Sequence, residues 1–410
     1  MKNKDNIVRI LHSSFACDPH MGSEPYVGWN WAKMARDSGL EVHVITRKHH
    51  KKAIEMSGGK NGIIFHYLDL PFFEKTDHRS KVMKPYYVLW QILILPKVWV
   101  LNNKYKYGAV HHITYNSMDY PGLLWLLPRT KFIWGPVGGG QIPPVQLRRV
   151  YGKKWFLQII RKYQKYLARY NPIVRLAIRR SNLIMFANEE TENLLGELAG
   201  KSIRMLETAV DRAIIRKSEQ IEPNIRKILW VGVIESRKAL VMLIDVMNML
   251  ERKKAEGIQY RCTVVGDGPL KKNMEDYSRV LGLESVIEFV GKVKHAEVDN
   301  YYRHSDLFVF TSVQDTSGNV ILESMARGLP VVALNHQGAK IMLSEGGGIL
   351  VPISSYSDTV TNIAKSIEAV LSDTSMQIRL SSQAVDAIRT KYTWREKGKI
   401  VSEIYREILN

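Results

Sequence analysis

The segment 314–332 carries two acidic residues, a turn of small polar residues and a helix signature in close succession. It reads QDTSGNVILESMARGLPVV and follows the apolar run LFVFTS. Unpaired backbone N–H groups at the start of the predicted helix make a site for a phosphate or for sugar oxygens. Asp315 lies in the loop and Glu323 about one turn inside the helix, so both could bind hydroxyl groups in one cleft. The two acids alone would fit a helix cap and a solvated glutamate, but the whole nineteen-residue pattern argues against that alternative.

Two adjacent cations and a glycine turn occur in the same half of the chain. Arg237 and Lys238 follow the strand-like run that ends in WVGV, where their charges could neutralise a diphosphate. Exposed cations at a helix start are unfavourable for the helix dipole, which favours a bound anion over two solvated charges. Gly266 belongs to a Gly-Asp-Gly-Pro sequence at another strand end, which by itself is typical of an ordinary turn.

The first half of the chain offers a glycine loop and two histidines. Gly22 lies in the loop PHMGSEPYVGW after the first strand, where a glycine lets backbone approach a ligand closely. This loop lacks the GxGxxG pattern of a dinucleotide dehydrogenase. His111 and His112 end a strand, and at most one of them can point into a cleft because neighbouring strand residues face opposite ways. A lone histidine is more often structural, and only the neighbouring motifs favour a catalytic role.

Metal-binding patterns are missing from the sequence. The chain has no Asp-x-Asp pair and no His/Cys cluster at metal-ligand spacing. We therefore expect no metal and no cofactor, and we expect cationic side chains to neutralise a bound diphosphate.

The elements that must position these residues alternate between short β-rich runs and longer helical segments. Such alternation is typical of parallel sheets covered by helices. The predicted strands form two sets separated by a polar segment at 218–224: 7–15, 41–46, 63–68, 109–114, 132–137 and 183–187, then 227–233, 261–265, 286–290, 307–311 and 330–334. The fold class is therefore α/β, with two Rossmann-like domains that face each other across a ligand-binding cleft.

Length and composition agree with that organisation. The 410 residues exceed the usual size of one hydrophobic core, and 45% hydrophobic residues are ordinary for a globular protein. We expect domains at 1–212 and 213–392, followed by a C-terminal helix over 393–410 that packs back on the first domain. Only Cys17 and Cys262 are cysteines, which fits a reducing compartment and excludes a disulfide scaffold. No secretory signal is evident, and the apolar run 86–101 is too short to span a bilayer.

Positive charge is concentrated in the first half of the chain. Residues 1–210 contain 32 Lys and Arg against 15 Asp and Glu, and no acidic residue occurs from 120 to 188. The stretch 148–180 interleaves eleven cations with aromatic and aliphatic residues. Such a surface attracts nucleic acid or anionic lipid headgroups. The apolar residues favour an interfacial helix at a membrane, although an ordinary solvated basic face is about equally compatible with the run.

Together these segments resemble the family-four retaining glycosyltransferases of GT-B architecture, and the resemblance runs through nearly the whole chain. The segment from Asp315 to Glu323 is similar to the acidic E-x7-E motif of that family, with Asp in place of the first Glu. The loop GSEP and the segment WGPVGGG at 134–140 resemble a branch whose members commonly build bacterial surface polysaccharides.

The resemblance implies roles for individual residues. Glu323 would hold the ribose, Lys238 the diphosphate, and the backbone of Ser317, Gly318 and Asn319 the sugar and phosphate. Val233 stands where the family often has Arg, and we expect Arg237 to substitute. His112 is preferred over His111 as the catalytic-site histidine.

The implied activity is that of a nucleotide-sugar-dependent, hexosyltransferase-like enzyme. It would transfer a sugar with retention from a nucleoside diphosphate sugar to a glycan or lipid-linked acceptor, for example in lipopolysaccharide or capsule synthesis. The acceptor would lie on the basic N-terminal domain. We expect a cytoplasmic protein, peripheral on the inner membrane through 148–180.

Two alternatives remain from the sequence. The net charge of +19 is compatible with a nucleic-acid-binding protein, although no recognised binding motif supports one. The departure at Val233 is compatible with a homologue that binds donor without turnover.

Overall fold

A computed structural model describes residues 8–57, 62–74, 82–214 and 224–410. The chain divides into two compact units. Unit 1 comprises residues 1–140, 163–208 and 394–410, and unit 2 comprises residues 141–162 and 209–393. Most of the polar segment predicted at 218–224 lies outside the described residues.

Unit 1 is built on a seven-stranded sheet whose paired strands are parallel. The strand order is β3-β2-β1-β4-β5-β6-β7. The strands are β1 (Arg9–Ser13), β2 (Glu41–Thr46), β3 (Ile63–Tyr67), β4 (Ala109–His112), β5 (Lys131–Val137), β6 (Ser181–Phe186) and β7 (Ser202–Arg204). The central strands β1, β4 and β5 are buried along nearly their whole length, histidines included, as is typical of a parallel sheet whose two faces are covered by helices.

The helices of unit 1 supply the other half of its core. They are α1 (Glu24–Asp37), α2 (Lys51–Met56), α3 (Met83–Tyr105), α5 (Pro172–Arg180), α6 (Glu189–Leu195) and α14 (Trp394–Leu409). Helix α14 has the bounds that its apolar spacing predicts, and its buried Tyr405 hydroxyl lies 2.7 Å from His111 Nδ1. Residues distant in sequence therefore share one core in this unit.

Unit 2 is built on a six-stranded parallel sheet with the order β10-β9-β8-β11-β12-β13. The strands are β8 (Ile225–Val231), β9 (Gln259–Val265), β10 (Ile287–Gly291), β11 (Leu307–Phe310), β12 (Val331–Leu334) and β13 (Gly348–Val351). The helices are α7 (Leu240–Lys253), α8 (Lys271–Val280), α9 (His295–Arg303), α10 (Asn319–Met325), α11 (Gln337–Met342), α12 (Tyr356–Ser372) and α13 (Thr374–Ala387).

Helix α4 (Trp155–Ala168) contains the boundary at 162/163 between the segments assigned to the two units. Of the helices in the described parts of the chain, none has both the length and the apolar content that a membrane crossing requires. The apolar run 86–101 belongs to α3, whose Tyr86, Trp90, Ile94 and Val98 pack in the core of unit 1.

The predicted α/β class with two parallel sheets is confirmed. Each of the eleven predicted strands is present, with ends shifted by a few residues. Two further strands, β7 and β13, which the sequence did not predict, lie at sheet edges.

Candidate functional site

The loop between β11 and α10 presents the first predicted acid. The side chain of Asp315 accepts a close hydrogen bond from Lys238 Nζ, and Arg237 Nη1 lies 3.6 Å from the same carboxylate. Side-chain exposure is 18% for Asp315 and 13% for Lys238, so this ion pair is well shielded from water. The structure thus brings together Arg237, Lys238 and Asp315, three of the predicted site residues, although Lys238 and Asp315 are 77 residues apart in sequence.

The cations are already paired in this structure. Arg237 Nε lies 2.7 Å from Glu235 Oε1, and its Nη1 donates to the Gln314 carbonyl at 3.3 Å. Lys238 Nζ also lies 5.3 Å from the ring centre of Phe310. Lys238 and Arg237 are therefore held in place by acidic and carbonyl oxygens of the same unit, and an anion bound here would share these cations with Asp315.

The turn before α10 depends on glycine. Gly318 has φ 67°, and a Cβ there would lie 2.9 Å from Phe310 Cζ. Ser317 is buried, and its hydroxyl donates to Asn319 Oδ1 at 3.2 Å. Helix α10 then begins at Asn319, as predicted, so its first backbone N–H groups follow directly on the loop that carries Asp315.

Glu323 is half-buried on α10 and is oriented by an aromatic hydroxyl. Tyr302 donates to Glu323 Oε2 at 3.1 Å. Burial, together with the nearby Glu323 carboxylate, raises the pKa of Tyr302 well above its ordinary value, so the phenol stays a neutral donor. Arg327 donates to the Glu323 backbone carbonyl at 2.8 Å. The carboxylate is therefore fixed in direction while keeping capacity to accept further hydrogen bonds.

The Gly-Asp-Gly-Pro sequence brings the ends of β8 and β9 into backbone contact. A Cβ on Gly266 would lie 1.8 Å from the Gly232 carbonyl oxygen, and its φ is 143°. A side chain at this position is therefore excluded. Val233, the position where the resemblance would place Arg, follows Gly232 and is 47% exposed.

Two glutamines that sequence reasoning missed, Gln141 and Gln337, support the loop 311–318. Gln337 Oε1 accepts from the Asp315 backbone N–H at 2.7 Å. Gln141 donates to Thr316 Oγ1 at 2.8 Å, and Gln314 of the loop donates to the Gln141 carbonyl at 2.9 Å. Gln141 and Gln337 carry no charge and belong to other segments, so no local pattern marks them.

The two histidines that end β4 are both fully buried in unit 1, and they differ in their partners. His111 Nδ1 lies 2.7 Å from the Tyr405 hydroxyl, and its Nε2 lies 2.8 Å from the Gly135 carbonyl. His112 Nε2 lies 2.7 Å from the Tyr87 hydroxyl, whereas its Nδ1 has no hydrogen-bond partner among the described residues. Both ring nitrogens of His111 therefore have partners and one nitrogen of His112 does not, and the choice of His112 as the catalytic-site histidine stays a prediction.

Gly22 lies in the loop before α1, also in unit 1, next to an unusual carboxyl group. Burial raises the pKa of Glu24 to about 7, although the Tyr115 backbone N–H donates to its carboxylate at 3.2 Å. Each unit thus holds part of the predicted set: Gly22 and His112 in unit 1, and Arg237, Lys238, Gly266, Asp315, Ser317, Gly318, Asn319 and Glu323 in unit 2. Within the described ranges, no group of three His, Cys, Asp or Glu residues is placed to hold a metal ion.

The buried histidines predict a loss of stability in acid. Burial lowers the pKa of His111 and of His112 from 6.5 to about 3, and it lowers that of His12 as well. Below pH 6.5 the unfolded chain therefore binds protons that the folded chain resists. The free energy of unfolding should be unaffected by these groups above that pH and should fall below it, by about 1.4 kcal/mol per pH unit for each histidine. Glu24 has the opposite effect, because its raised pKa lets the folded chain bind a proton more readily than the unfolded chain. It is one carboxyl group against three histidines.

Urea unfolding of the full chain between pH 7.5 and pH 4.5 measures this dependence. His111→Gln should reduce the slope with pH, because it removes a buried imidazole whose pKa is lowered in the folded chain. A flat profile in the unmodified chain would contradict the neutral state of these histidines.

Comparison with known proteins finds a family match within the second unit. Residues 211–386 match the family model of glycosyl transferases group 1. An uncharacterized glycosyltransferase of Methanocaldococcus jannaschii is 30% identical over 193 residues, which are 47% of each chain. The chain spans about half the length of the curated relatives it matches.

Two solved structures are similar over almost the entire chain. HepE of Anabaena, in complex with UDP and glucose, has a TM-score of 0.59 and 14% identity, and covers 97% of this chain and 99% of its own. WaaG, a glycosyltransferase involved in lipopolysaccharide biosynthesis, also has a TM-score of 0.59 and 14% identity, with 96% and 99% coverage. At these identities the likeness establishes the two-domain α/β fold of GT-B glycosyltransferases. The family match at 211–386 and the similarity in fold thus point to the same class of protein, and the match lies within unit 2.

Proposed function

We propose that the chain is a retaining, metal-independent glycosyltransferase that transfers a sugar from a nucleoside diphosphate sugar. The observation that carries the proposal is the shielded cluster of Lys238, Arg237 and Asp315 beside the glycine turn that begins α10. A diphosphate needs two or more cationic or N–H donors, and this cluster supplies them. The domain match at 211–386 and the UDP and glucose bound to the neighbour HepE support the same ligand class.

The reaction divides among the residues by their chemistry. Lys238 and Arg237 stabilise the charge that develops on the departing diphosphate, which is the kind of preorganised electrostatic effect that lowers a transfer barrier. Asp315 accepts hydrogen bonds from hydroxyls of the transferred sugar, and Glu323 accepts them from the ribose. Because the pKa of His112 is about 3, its imidazole is neutral at pH 7 and can hold a sugar hydroxyl without adding charge.

The acceptor is a glycan or a lipid-linked saccharide of cell-surface polysaccharide synthesis. The excess of positive charge in residues 1–210 supports an acceptor that carries phosphate or lies at an anionic membrane surface. The role of the neighbour WaaG in lipopolysaccharide biosynthesis supports the same class. The acceptor hydroxyl attacks the face from which the diphosphate leaves, so the anomeric configuration is retained, and the protein acts from the cytoplasmic side.

Thermal unfolding with a panel of nucleoside diphosphate sugars tests the donor assignment. One of them should raise the midpoint, because a ligand that binds only the folded state stabilises it by mass action, by about 2.7 kcal/mol at a hundredfold excess over Kd. Release of nucleoside diphosphate with a glycan acceptor should then proceed equally with and without EDTA. An NMR spectrum of the product establishes the anomeric configuration.

Three outcomes would contradict the proposal. Stabilisation without release of nucleoside diphosphate, across a panel of acceptors, would indicate a donor-binding homologue without turnover. Dependence on an added divalent cation would contradict the role given to Lys238 and Arg237. Salt-dependent binding to single or duplex DNA without stabilisation by any sugar nucleotide would favour the nucleic-acid alternative.

A further inference from the structure

Helix α4 is amphipathic, with its apolar residues gathered on one side. At 3.6 residues per turn, seven large apolar side chains fall within a sector of about 140°. They are Trp155, Phe156, Ile159, Ile160, Tyr163, Tyr166 and Leu167. Arg161, Lys162 and Lys165 lie outside this sector. We name these seven residues the α4 apolar face.

The α4 apolar face is turned to solvent, the reverse of an ordinary surface helix. Six of its seven side chains are exposed, with Phe156 at 58%, Tyr163 at 64% and Leu167 at 64%. Trp155 alone is partly buried, against the core of unit 2. The buried positions of the helix are instead Gln158 and Ala168. A contiguous exposed apolar surface of this kind marks an interaction site. Helices in proteins gain most of their stability from packing such a face against a partner.

Cations lie beside the α4 apolar face. Lys153 and Lys154 directly precede the helix, and Lys162 lies about 20° outside the apolar sector, all three of them exposed. No acidic residue occurs between residues 120 and 188. A polyanion that contacts only cations, as nucleic acid does, would leave the apolar side chains in water. A surface that is anionic outside and apolar beneath satisfies both features at once.

We infer that the α4 apolar face inserts into the headgroup–acyl boundary of an anionic lipid bilayer, with the helix parallel to the membrane plane. Phe156, Tyr163 and Leu167 enter the apolar layer, and the neighbouring cations contact lipid phosphates. This goes beyond a basic patch that merely approaches the membrane, because both hydrophobic insertion and charge contribute to affinity. The inference is independent of the donor chemistry, since vesicle binding is measured without any sugar nucleotide.

Flotation with vesicles of phosphatidylglycerol and phosphatidylcholine tests the inference. The unmodified protein should float with these vesicles and much less with pure phosphatidylcholine. The triple variant Phe156→Ser, Tyr163→Ser, Leu167→Ser should lose about tenfold in partitioning for each side chain removed. The double variant Lys154→Glu, Lys162→Glu should bind more weakly, and added salt should weaken the binding of the unmodified protein. Val280→Ser and Ile378→Ser, which remove exposed apolar side chains elsewhere, should bind as the unmodified protein does.

A label on the helix gives a second readout that does not depend on bulk affinity. Cys17 and Cys262 are both buried, so a Tyr163→Cys variant offers one accessible thiol in the described chain for an environment-sensitive fluorophore. Its emission should shift to the blue on addition of phosphatidylglycerol vesicles. A labelled Ile378→Cys variant is the matched control and should not shift.

Three results would overturn the inference. If the unmodified protein is a dimer without lipid and the triple variant is a monomer, the face is occupied by a second copy of the chain. If the triple variant binds vesicles as well as the unmodified protein does, the apolar side chains do not insert into lipid. If the triple variant loses as much affinity for single-stranded DNA as for vesicles, the face is not specific for lipid. The rise in the unfolding midpoint with sugar nucleotide is measured on the same triple variant. If that rise equals the rise for the unmodified protein, the membrane inference has failed while the proposed donor binding has not.

Discussion

Glu323→Ala is expected to reduce kcat/KM for the sugar nucleotide by about 100-fold or more. A carboxylate that accepts two ribose hydroxyls contributes about 1.5–3 kcal/mol for each charged hydrogen bond, and alanine removes both. Alanine also suits the helix, so α10 should remain folded. Steady-state kinetics and calorimetric titration of the nucleoside diphosphate measure the effect.

The control for Glu323 separates a ligand contact from a structural one. In the structure Glu323 accepts from Tyr302, whose hydroxyl also lies 3.4 Å from the Val320 carbonyl. Tyr302→Phe removes that hydrogen bond and keeps the carboxylate, so it should retain most of the activity. Glu288→Ala, at an exposed position on β10, should have no effect. Equal losses in Tyr302→Phe and Glu323→Ala, or unchanged kinetics in the latter, would refute the ribose role.

Lys238→Ala is expected to raise the donor KM and lower kcat, with a combined loss of about 100-fold. The ammonium group is shielded, with 13% exposure, so its attraction for a diphosphate is screened little by water. Its removal also leaves Asp315 without its nearest cation, and a modest loss of stability should accompany the kinetic effect. Arg237→Ala should cost less, about three- to tenfold, because Arg237 is 37% exposed and its charge is screened.

Comparison of nucleoside diphosphate and monophosphate binding identifies the group that Lys238 contacts. Calorimetry should show a large loss of diphosphate affinity in Lys238→Ala and a small loss for the monophosphate. Lys272→Ala, which removes an exposed cation from α8, provides the matched control. If both nucleotides lose affinity equally, Lys238 supports the loop through Asp315 and does not bind the diphosphate.

Much of the fold could be predicted because parallel sheets impose a simple pattern on the sequence. Buried strands such as Val331–Leu334 are continuous apolar runs, and helix α14 shows apolar residues at helical spacing. The strand Ser202–Arg204 escaped prediction because an edge strand of three residues needs few apolar side chains. The strand Gly348–Val351 escaped because it begins within three consecutive glycines, which are typical of a turn.

The candidate site was predicted less completely than the fold. Charged residues can be recognised in the sequence as candidates for binding, whereas uncharged residues that support the site cannot. The spacing of Asp315 and Glu323 and the adjacent cations at 237 and 238 indicate an anion and a sugar from their types alone. The amide of Gln337, which accepts from the Asp315 backbone N–H, carries no such mark. The sequence predicted an interfacial helix within 148–180 from its mixture of cations and apolar residues, but only the structure shows which side chains of α4 are exposed.

The sequence by itself determined the α/β class, the two sets of strands, the glycine turns and the choice of residues proposed to bind a diphosphate and hydroxyl groups. Only the tertiary structure decided that Lys238 pairs with Asp315, that His111 is held by Tyr405, and that α4 presents its apolar side to water. The physical reason is the range of the interactions involved. Strand and helix patterns arise from neighbours a few residues apart, whereas side-chain partners and burial depend on segments that only folding brings together.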